Sequence, residues 1–108
     1  MESEQVVKAL GALAQPVRLQ VFRALVVTGQ AGMTPGTMAQ ALGIPLTSLS
    51  FHLKELAGAG LVTTERSSRN IVYRASYARM DELLGYLTAN CCAGAACTAE
   101  SAPAGCGC

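Results

Sequence analysis

Two short helical patterns separated by a tight turn constrain the fold of this chain more than any other feature. Thr34-Pro35 is a typical helix start, because the hydroxyl can accept free backbone N–H groups and proline has no N–H to leave unpaired. The helix that it predicts stops at Gly43, and Gly43-Ile44-Pro45 forms the turn. A longer helix follows, with leucines at positions 46, 49, 53 and 56 on one face. This pattern predicts a helix-turn-helix.

Three further helices are predicted from apolar residues at helical spacing. Their stripes are Val6, Leu10 and Leu13 in the first helix, Leu19, Phe22 and Val26 in the second, and Met80, Leu83, Leu84 and Leu87 in the last. The second helix is expected to begin near Pro16, since proline is favoured in the first turn. The stripes at the two ends could complete the core or pair two subunits, and the sequence leaves both options open.

Between the fourth and the last helix the pattern changes to short β-branched or aromatic runs. Leu61-Val62-Thr63-Thr64 and Ile71-Val72-Tyr73-Arg74 are separated by the polar stretch "ERSSRN", which predicts a two-stranded hairpin. The predicted fold class is therefore mostly α with a small β-hairpin, in the element order of a winged helix-turn-helix.

The totals of the chain favour one domain without catalytic chemistry. It has 108 residues, a formal net charge of +1 and a single histidine. Paired carboxylates and a glycine-rich phosphate loop are missing, and Ser50 and His52 point to different sides of their helix, so we expect no enzyme. No segment approaches the roughly 18–20 apolar residues of a membrane span, and we expect a cytoplasmic protein without membrane contact.

The side of the fourth helix opposite its leucines is suited to DNA. It carries Thr47, Ser48, Ser50, Phe51 and Lys54. Hydroxyl groups can donate to or accept from base edges and phosphates, and a lysine suits a phosphate. The hairpin adds Arg66, Arg69 and Arg74, opposed only by Glu65. A chain of nearly neutral charge therefore has a locally basic surface, which favours nucleic acid as the partner.

Phe51 is the exception on this polar side, and two interpretations of it stay open. The ring could contact the methyl group of a thymine, or a slight rotation of the helix could pack it under the hairpin. The neighbouring His52 lies at the boundary of the core, where we expect it to pack or to form a hydrogen bond rather than to bind a metal.

All five cysteines lie at one end of the chain, at positions 91, 92, 97, 106 and 108. In the cytoplasm such clusters more often bind metals or sense redox state than form disulfides. Soft thiolates select thiophilic ions; As(III) and Sb(III) take three sulfur ligands, whereas zinc prefers four ligands. We therefore predict an As(III) or Sb(III) site at Cys91, Cys92 and Cys97. Zinc, cadmium or lead sensing and thiol oxidation stay open as alternatives.

The chain divides into three parts on this interpretation. Residues 1–92 form the DNA-binding and dimerisation domain, residues 91–97 the cysteine sensor segment, and residues 98–108 a flexible tail rich in Ala, Gly, Ser and Pro. Cys91 continues the apolar stripe of the last helix if that helix reaches it, and Ala93-Gly94 can then break the helix and let Cys97 fold back.

Several stretches together resemble the ArsR/SmtB family of metal-responsive repressors. They are "LAQPVRLQVFRALV", "MAQALGIPLTSLSFHLKELAGAGLV" and "RNIVYR", within residues 5–90. The resemblance implies a homodimeric winged helix-turn-helix that binds a palindromic operator and leaves it when a metal or metalloid binds. It implies groove contacts from Thr47, Ser48, Ser50 and Phe51, backbone contacts from the hairpin arginines, and a dimer interface made by the first and last helices.

The cysteine segment "NCCAGAAC" resembles the C-terminal Cys-Cys…Cys site of the arsenite-responsive subset of that family. Two departures accompany the likeness. The common Cys-x-Cys pattern on the third or fourth helix is missing, and the hairpin tip has no glycine, so that Asn70 is expected to take the positive φ. An alternative of another class is a metal-binding module whose helical body docks a protein partner instead of DNA.

Overall fold

The computed structural model describes residues 1–90 of the chain. Its elements, in order, are α1 (Ser3–Leu13), α2 (Pro16–Thr28), a single 3-10 turn (Gly29–Ala31), α3 (Pro35–Leu42), α4 (Leu46–Gly58), β1 (Val62–Ser67), β2 (Asn70–Ala75) and α5 (Tyr77–Thr88). This is the predicted element order. It confirms a mostly helical fold with one antiparallel hairpin.

The helix starts follow from local capping chemistry. Thr34 accepts a hydrogen bond from the backbone N–H of Thr37 at 3.3 Å, and Pro35 takes the first helical position of α3, as predicted. Gln15 caps α2 in the same way, because its side-chain oxygen accepts from the Arg18 N–H at 2.8 Å directly before Pro16. Gly43 ends α3 in the left-handed conformation, with φ 66°, so that α4 can follow after a short turn.

The core is aliphatic and centres on α4. Leu49, Leu53 and Leu56 are at most 1% exposed, and Val21, Leu25, Met38 and Leu61 pack with them from the neighbouring elements. Burial of one large aliphatic side chain is worth roughly 1.5–3 kcal/mol, so these residues supply much of the driving force for folding. The predicted face of α4 is confirmed in three of its four leucines; Leu46, in the first turn, is 52% exposed.

The predicted stripes of the other helices are only partly buried. In α1 the buried residues are Val6, Ala9 and Ala12, while Leu10 is exposed. In α2 Phe22 is buried as predicted, but Leu19 is exposed and its place in the core is taken by Val21 and Leu25. In α5 only Leu83 is fully buried, and Leu84 and Leu87 are exposed. Two of the three buried residues of α1 are alanines, whereas Val7 and Leu10 lie on the outside.

The hairpin differs from the prediction at its tip. β1 and β2 pair antiparallel from Val62↔Ala75 to Ser67↔Asn70, which leaves a two-residue turn of Ser68 and Arg69. Ser68 adopts φ 58°, whereas Asn70 belongs to the strand, so the assignment of the positive φ to Asn70 is wrong. A two-residue hairpin turn places a positive φ within its two central residues, here at Ser68, and Asn70 lies one residue beyond them.

The base of the hairpin is joined to the segment that precedes α3. Met33 and Tyr73 exchange two backbone hydrogen bonds, of 2.9 and 2.8 Å. Next to this bridge Gly32 adopts φ +66°, and a Cβ atom there would lie 2.5 Å from Val72 Cγ1 and 2.8 Å from the Tyr73 carbonyl oxygen. The hairpin and the helix-turn-helix are therefore held together by main-chain contacts that only glycine permits at position 32.

Within residues 1–90, no single helix has the length and apolar character needed to cross a membrane. The stretch from Ser3 to Ala31 meets the criterion only as a helix pair bent by 100°, and by length and composition alone. The buried core residues Val6 and Val21 lie on these two helices, and core helices pass the same test.

We expect Gly32→Ala to lower the free energy of unfolding by about 2–4 kcal/mol, because the added methyl group combines a disfavoured φ with contacts that the backbone cannot relieve. Gly36→Ala is the matched control: nothing lies within 4 Å of its Cβ position and the residue is helical. It should be neutral or stabilising by up to about 1 kcal/mol. Urea denaturation at equal protein concentration measures both, and equal midpoints for the two variants would contradict the close approach at Gly32.

Candidate nucleic-acid interface

The predicted residues of α4 lie together on its solvent side. Thr47, Ser48, Ser50, Phe51 and Lys54, here called the α4 surface, are all exposed, while Leu49, Leu53 and Leu56 on the other side are buried. The helix is 13 residues long, or about 20 Å at 1.5 Å per residue. The major groove of DNA is wide enough to admit an α-helix. The α4 surface is thus free to meet another molecule.

The hydroxyl groups of the α4 surface differ in what they can do. The Ser50 hydroxyl donates to the carbonyl oxygen of Leu46 at 2.9 Å, so that it presents lone pairs to a partner. It is suited to accept from the amino group of an adenine or a cytosine. Within residues 1–90 the side chains of Thr47 and Ser48 form no hydrogen bond, and their hydroxyls can either donate or accept.

The start of α4 adds a feature that the sequence analysis did not use. Pro45 precedes the helix and no side chain caps it, so that the first-turn N–H groups of Leu46, Thr47 and Ser48 have no capping partner. Exposed N–H groups at the positive end of a helix attract phosphate. A proline in place of a Ser, Thr, Asp or Asn at the cap position was the signal available in the sequence.

Arg18 of α2 reaches the α4 surface, and its role was not predicted. Its Nε donates to His52 Nδ1 at 3.2 Å, and its guanidinium carbon lies 5.4 Å from the centroid of the Phe51 ring. The rings of Phe51 and His52 meet edge-on, with 5.7 Å between their centroids. Phe51 remains 54% exposed, which argues against its burial under the hairpin, and His52 forms the hydrogen bond expected of it.

The hairpin arginines fall into two classes. Arg74 is engaged, since its Nη1 forms a 2.8 Å ion pair with Glu65 and its Nε donates to the Gln30 carbonyl oxygen at 2.7 Å. Arg66 and Arg69 are exposed and form no ion pair or side-chain hydrogen bond within residues 1–90. The one acidic residue of the hairpin is thus neutralised by Arg74, and the positive charges of Arg66 and Arg69 remain available to a partner.

The predicted metal ligands Cys91, Cys92 and Cys97 lie outside the described residues, as do Cys106 and Cys108. α5 ends at Thr88, and the predicted continuation of its stripe to Cys91 falls on a residue outside the described part of the chain. In the part of the chain that the structure describes, no three His, Cys, Asp or Glu side chains are grouped so that they could hold a metal ion.

The helices at the two ends of the described chain leave apolar side chains exposed. α1 packs against α5. The exposed residues are Val7 and Leu10 on α1, and Leu84, Tyr86 and Leu87 on α5. Their concentration on the two terminal helices agrees with the expectation that these helices pair two subunits, since exposed apolar side chains in one region favour association.

Comparison with known proteins bears directly on this arrangement. A helix-turn-helix domain family matches residues 13–65, which include α2, α3 and α4. The biofilm growth-associated repressor of Xylella fastidiosa is 32% identical over 91 residues, which are 84% of this chain and 77% of the repressor. The HTH-type transcriptional repressor SmtB of Mycobacterium tuberculosis is 40% identical over 65 residues, 60% of this chain and 46% of that protein.

A solved structure gives the same answer for the fold. The homodimeric winged helix-turn-helix DNA-binding domain of Mb0332 from Mycobacterium bovis, described as a possible ArsR-family transcriptional regulator, is 28% identical, with a TM-score of 0.64 and 88% of each chain covered. The chain belongs to the ArsR/SmtB family. As an ArsR/SmtB protein it has a winged helix-turn-helix, in which β1 and β2 form the wing. It spans between 46% and 62% of the length of the first curated relatives that it matches.

Substitution of the engaged wing arginine and of an exposed one should affect the stability of the protein differently. Arg74→Gln removes an ion pair and a hydrogen bond to a carbonyl oxygen, and we expect it to lower the free energy of unfolding by about 1–2 kcal/mol. Arg69→Gln, at an exposed position of the same wing, should change it by less than about 0.5 kcal/mol. Urea unfolding midpoints decide the matter, and equal midpoints for both variants would show that the Arg74 contacts are not stabilising.

Proposed function

We propose that this ArsR/SmtB protein is a transcriptional repressor that binds a palindromic operator as a homodimer and is released by As(III) or Sb(III). The observation that carries the DNA-binding part is the α4 surface, where exposed hydroxyls and Lys54 lie on the helix-turn-helix next to a wing with two exposed arginines that form no ion pair within residues 1–90. A repressor of Xylella fastidiosa and a homodimeric DNA-binding domain among the related proteins support the same conclusion.

The chemistry of each side chain suggests which part of the DNA it contacts. α4 lies in the major groove, where Thr47, Ser48 and Ser50 meet base edges or nearby phosphates, and Phe51 lies among them. Lys54 contacts a phosphate, and Arg66 and Arg69 of the wing contact the backbone beside the groove. Dimerisation through α1 and α5 sets the distance between the two α4 helices, so that they fit half-sites about one DNA turn apart.

The proposed inducer site is the cysteine segment. Each thiol of Cys91, Cys92 and Cys97 would replace one hydroxide of arsenous acid, with loss of water, so that one arsenic atom is held by three sulfurs. Cys91 follows the end of α5 by three residues. Binding of the metalloid would therefore alter the dimer helix at its end and change the angle between the two α4 surfaces. Couplings of this kind are typically ~1–3 kcal/mol, or about 5–150-fold in affinity.

Salt dependence tests the DNA-binding proposal. On a promoter duplex that contains the palindrome, Arg66→Gln and Arg69→Gln should each weaken binding and lower the slope of log K against log salt by about one, because each removes one phosphate contact. Arg23→Gln, an exposed arginine on α2, is the control and should leave the slope unchanged. If the wild-type protein binds no duplex at low salt, the repressor proposal fails and the protein-docking module is favoured.

Inducer release tests the sensor proposal. In titrations of the protein–DNA complex with arsenite, antimonite, zinc, cadmium and lead, only the first two should release the wild type. Cys91→Ser, Cys92→Ser and Cys97→Ser should each bind DNA normally and lose release by arsenite, since two thiols hold As(III) less firmly than three. The double variant Cys106→Ser/Cys108→Ser is the control and should respond as the wild type.

Two results of these titrations would assign the cysteine segment to a signal other than As(III) or Sb(III). Release by zinc, cadmium or lead but not by arsenite would assign the site to a divalent metal, and release by oxidant that is reversed by a thiol reductant would make it a redox switch. Persistence of arsenite release in Cys97→Ser would exclude the site made of three thiols.

A further inference from the structure

Phe51 is the one large apolar side chain in the middle of the α4 surface. At helical spacing it lies between Thr47 and Lys54, which are four residues before and three residues after it on the same side. Its side chain is 54% exposed, and its surroundings on that side are hydroxyls, the cation of Lys54 and the exposed carboxylate of Glu55. Phe51 contributes little to the core from this position, so its apolar ring is available to a partner.

The ring is held in place by Arg18 from another helix. The Arg18 guanidinium lies 5.4 Å from the ring centroid, a distance at which a cation attracts the face of an aromatic ring. The same guanidinium is itself fixed, because its Nε donates to His52 Nδ1 at 3.2 Å. The backbone N–H of Arg18 is bound by the Gln15 cap at 2.8 Å, in the rigid first turn of α2.

The edge of His52 limits the ring from a second direction, with 5.7 Å between the two centroids and 63° between the planes. An exposed phenylalanine ordinarily samples several rotamers, and ordering it on binding costs free energy. Contacts with Arg18 and His52 reduce this cost in advance. These contacts favour one orientation of the ring before a partner arrives.

The chemistry of the major groove leaves one main target for such a ring. Base edges there present hydrogen-bond donors and acceptors, and the 5-methyl group of thymine is their distinctive apolar group. Contact with a donor or acceptor would bury that polar group without a hydrogen bond, which is unfavourable. Contact with the methyl group removes two apolar surfaces from water, which is favourable.

We infer that Arg18 positions Phe51 to read the 5-methyl group of a thymine in each operator half-site. The inference rests on the proposed DNA-binding function and adds to it a base and a positioning residue. Phe51 makes the contact, and Arg18 acts through it by holding the ring. Specificity at that base pair thus comes from an apolar contact, beside the hydrogen bonds made by the serine and threonine hydroxyls.

The test removes single methyl groups from the DNA. The wild-type protein is used to select duplexes from a random-sequence library, and each thymine of one half-site in the selected duplex is then replaced by deoxyuridine. At one position the replacement should raise Kd by about three- to fivefold, the effect of losing one buried methyl group. At the remaining thymines it should have no effect.

Variants identify the side chains that cause this difference. In Phe51→Ala the ratio of the two Kd values, deoxyuridine over thymine, should fall to about one at that position. In Arg18→Gln it should also fall, because the ring is no longer held. Lys54→Gln is the control: loss of a phosphate contact weakens both duplexes equally, keeps the ratio and lowers the salt slope by about one. Thr47→Ala tests the only threonine methyl group on the α4 surface.

Each outcome decides the inference. A ratio near one at every thymine for the wild type would overturn it while leaving DNA binding intact. A ratio that survives in Phe51→Ala but is lost in Thr47→Ala would transfer the role to the threonine. If Arg18→Gln keeps the ratio and lowers the salt slope, Arg18 contacts a phosphate and does not position the ring. Failure of the selection to enrich any duplex would refute the DNA-binding proposal itself.

Discussion

Burial of three leucines on one side of α4 determines the rest of the structure. Leu49, Leu53 and Leu56 lie at the centre of the core, where α2, α3 and the start of the hairpin pack around them. Because side chains on a helix are related by fixed rotations, burial of this side fixes which residues face the solvent. Each shift of α4 by one residue would exchange a core leucine for a polar side chain. The packing of the core therefore determines which residues make up the α4 surface.

Local chemistry made much of the fold and of α4 predictable. Thr34-Pro35 and Pro16 mark helix starts whose causes lie within a few residues, and two short β-branched or aromatic runs mark the hairpin. Several of the missed features depend on distant parts of the chain. Leu10 and Leu19 are exposed because the core takes up only one side of each helix. The contact of Arg18 with Phe51 and His52 joins residues about thirty positions apart, and no local pattern encodes it.

The pairing of charges in the hairpin is also a feature that the sequence alone does not predict. A count of charges along the hairpin gives three arginines against one glutamate, but the count does not say which arginine the glutamate neutralises. In the fold Arg74 takes Glu65 and a main-chain carbonyl, and in doing so it also ties the wing to the turn after α2. Arg74 thus stabilises the fold, while Arg66 and Arg69, nearer the tip, are exposed to solvent. The three arginines have the same side chain, and only their positions in the hairpin decide which of them is paired.

The two hydrogen bonds between Met33 and Tyr73 have a mechanical consequence. They attach the wing to the segment that leads into α3, with Gly32 as the point of closest approach. A wing attached only through the loop after α4 could swing and keep its grip on DNA while the helix left the groove. If this chain binds DNA as proposed, the wing and α4 are expected to leave it together. In the proposed dimer, a small rotation of one subunit relative to the other would then move the wing and α4 of that subunit away from the DNA together.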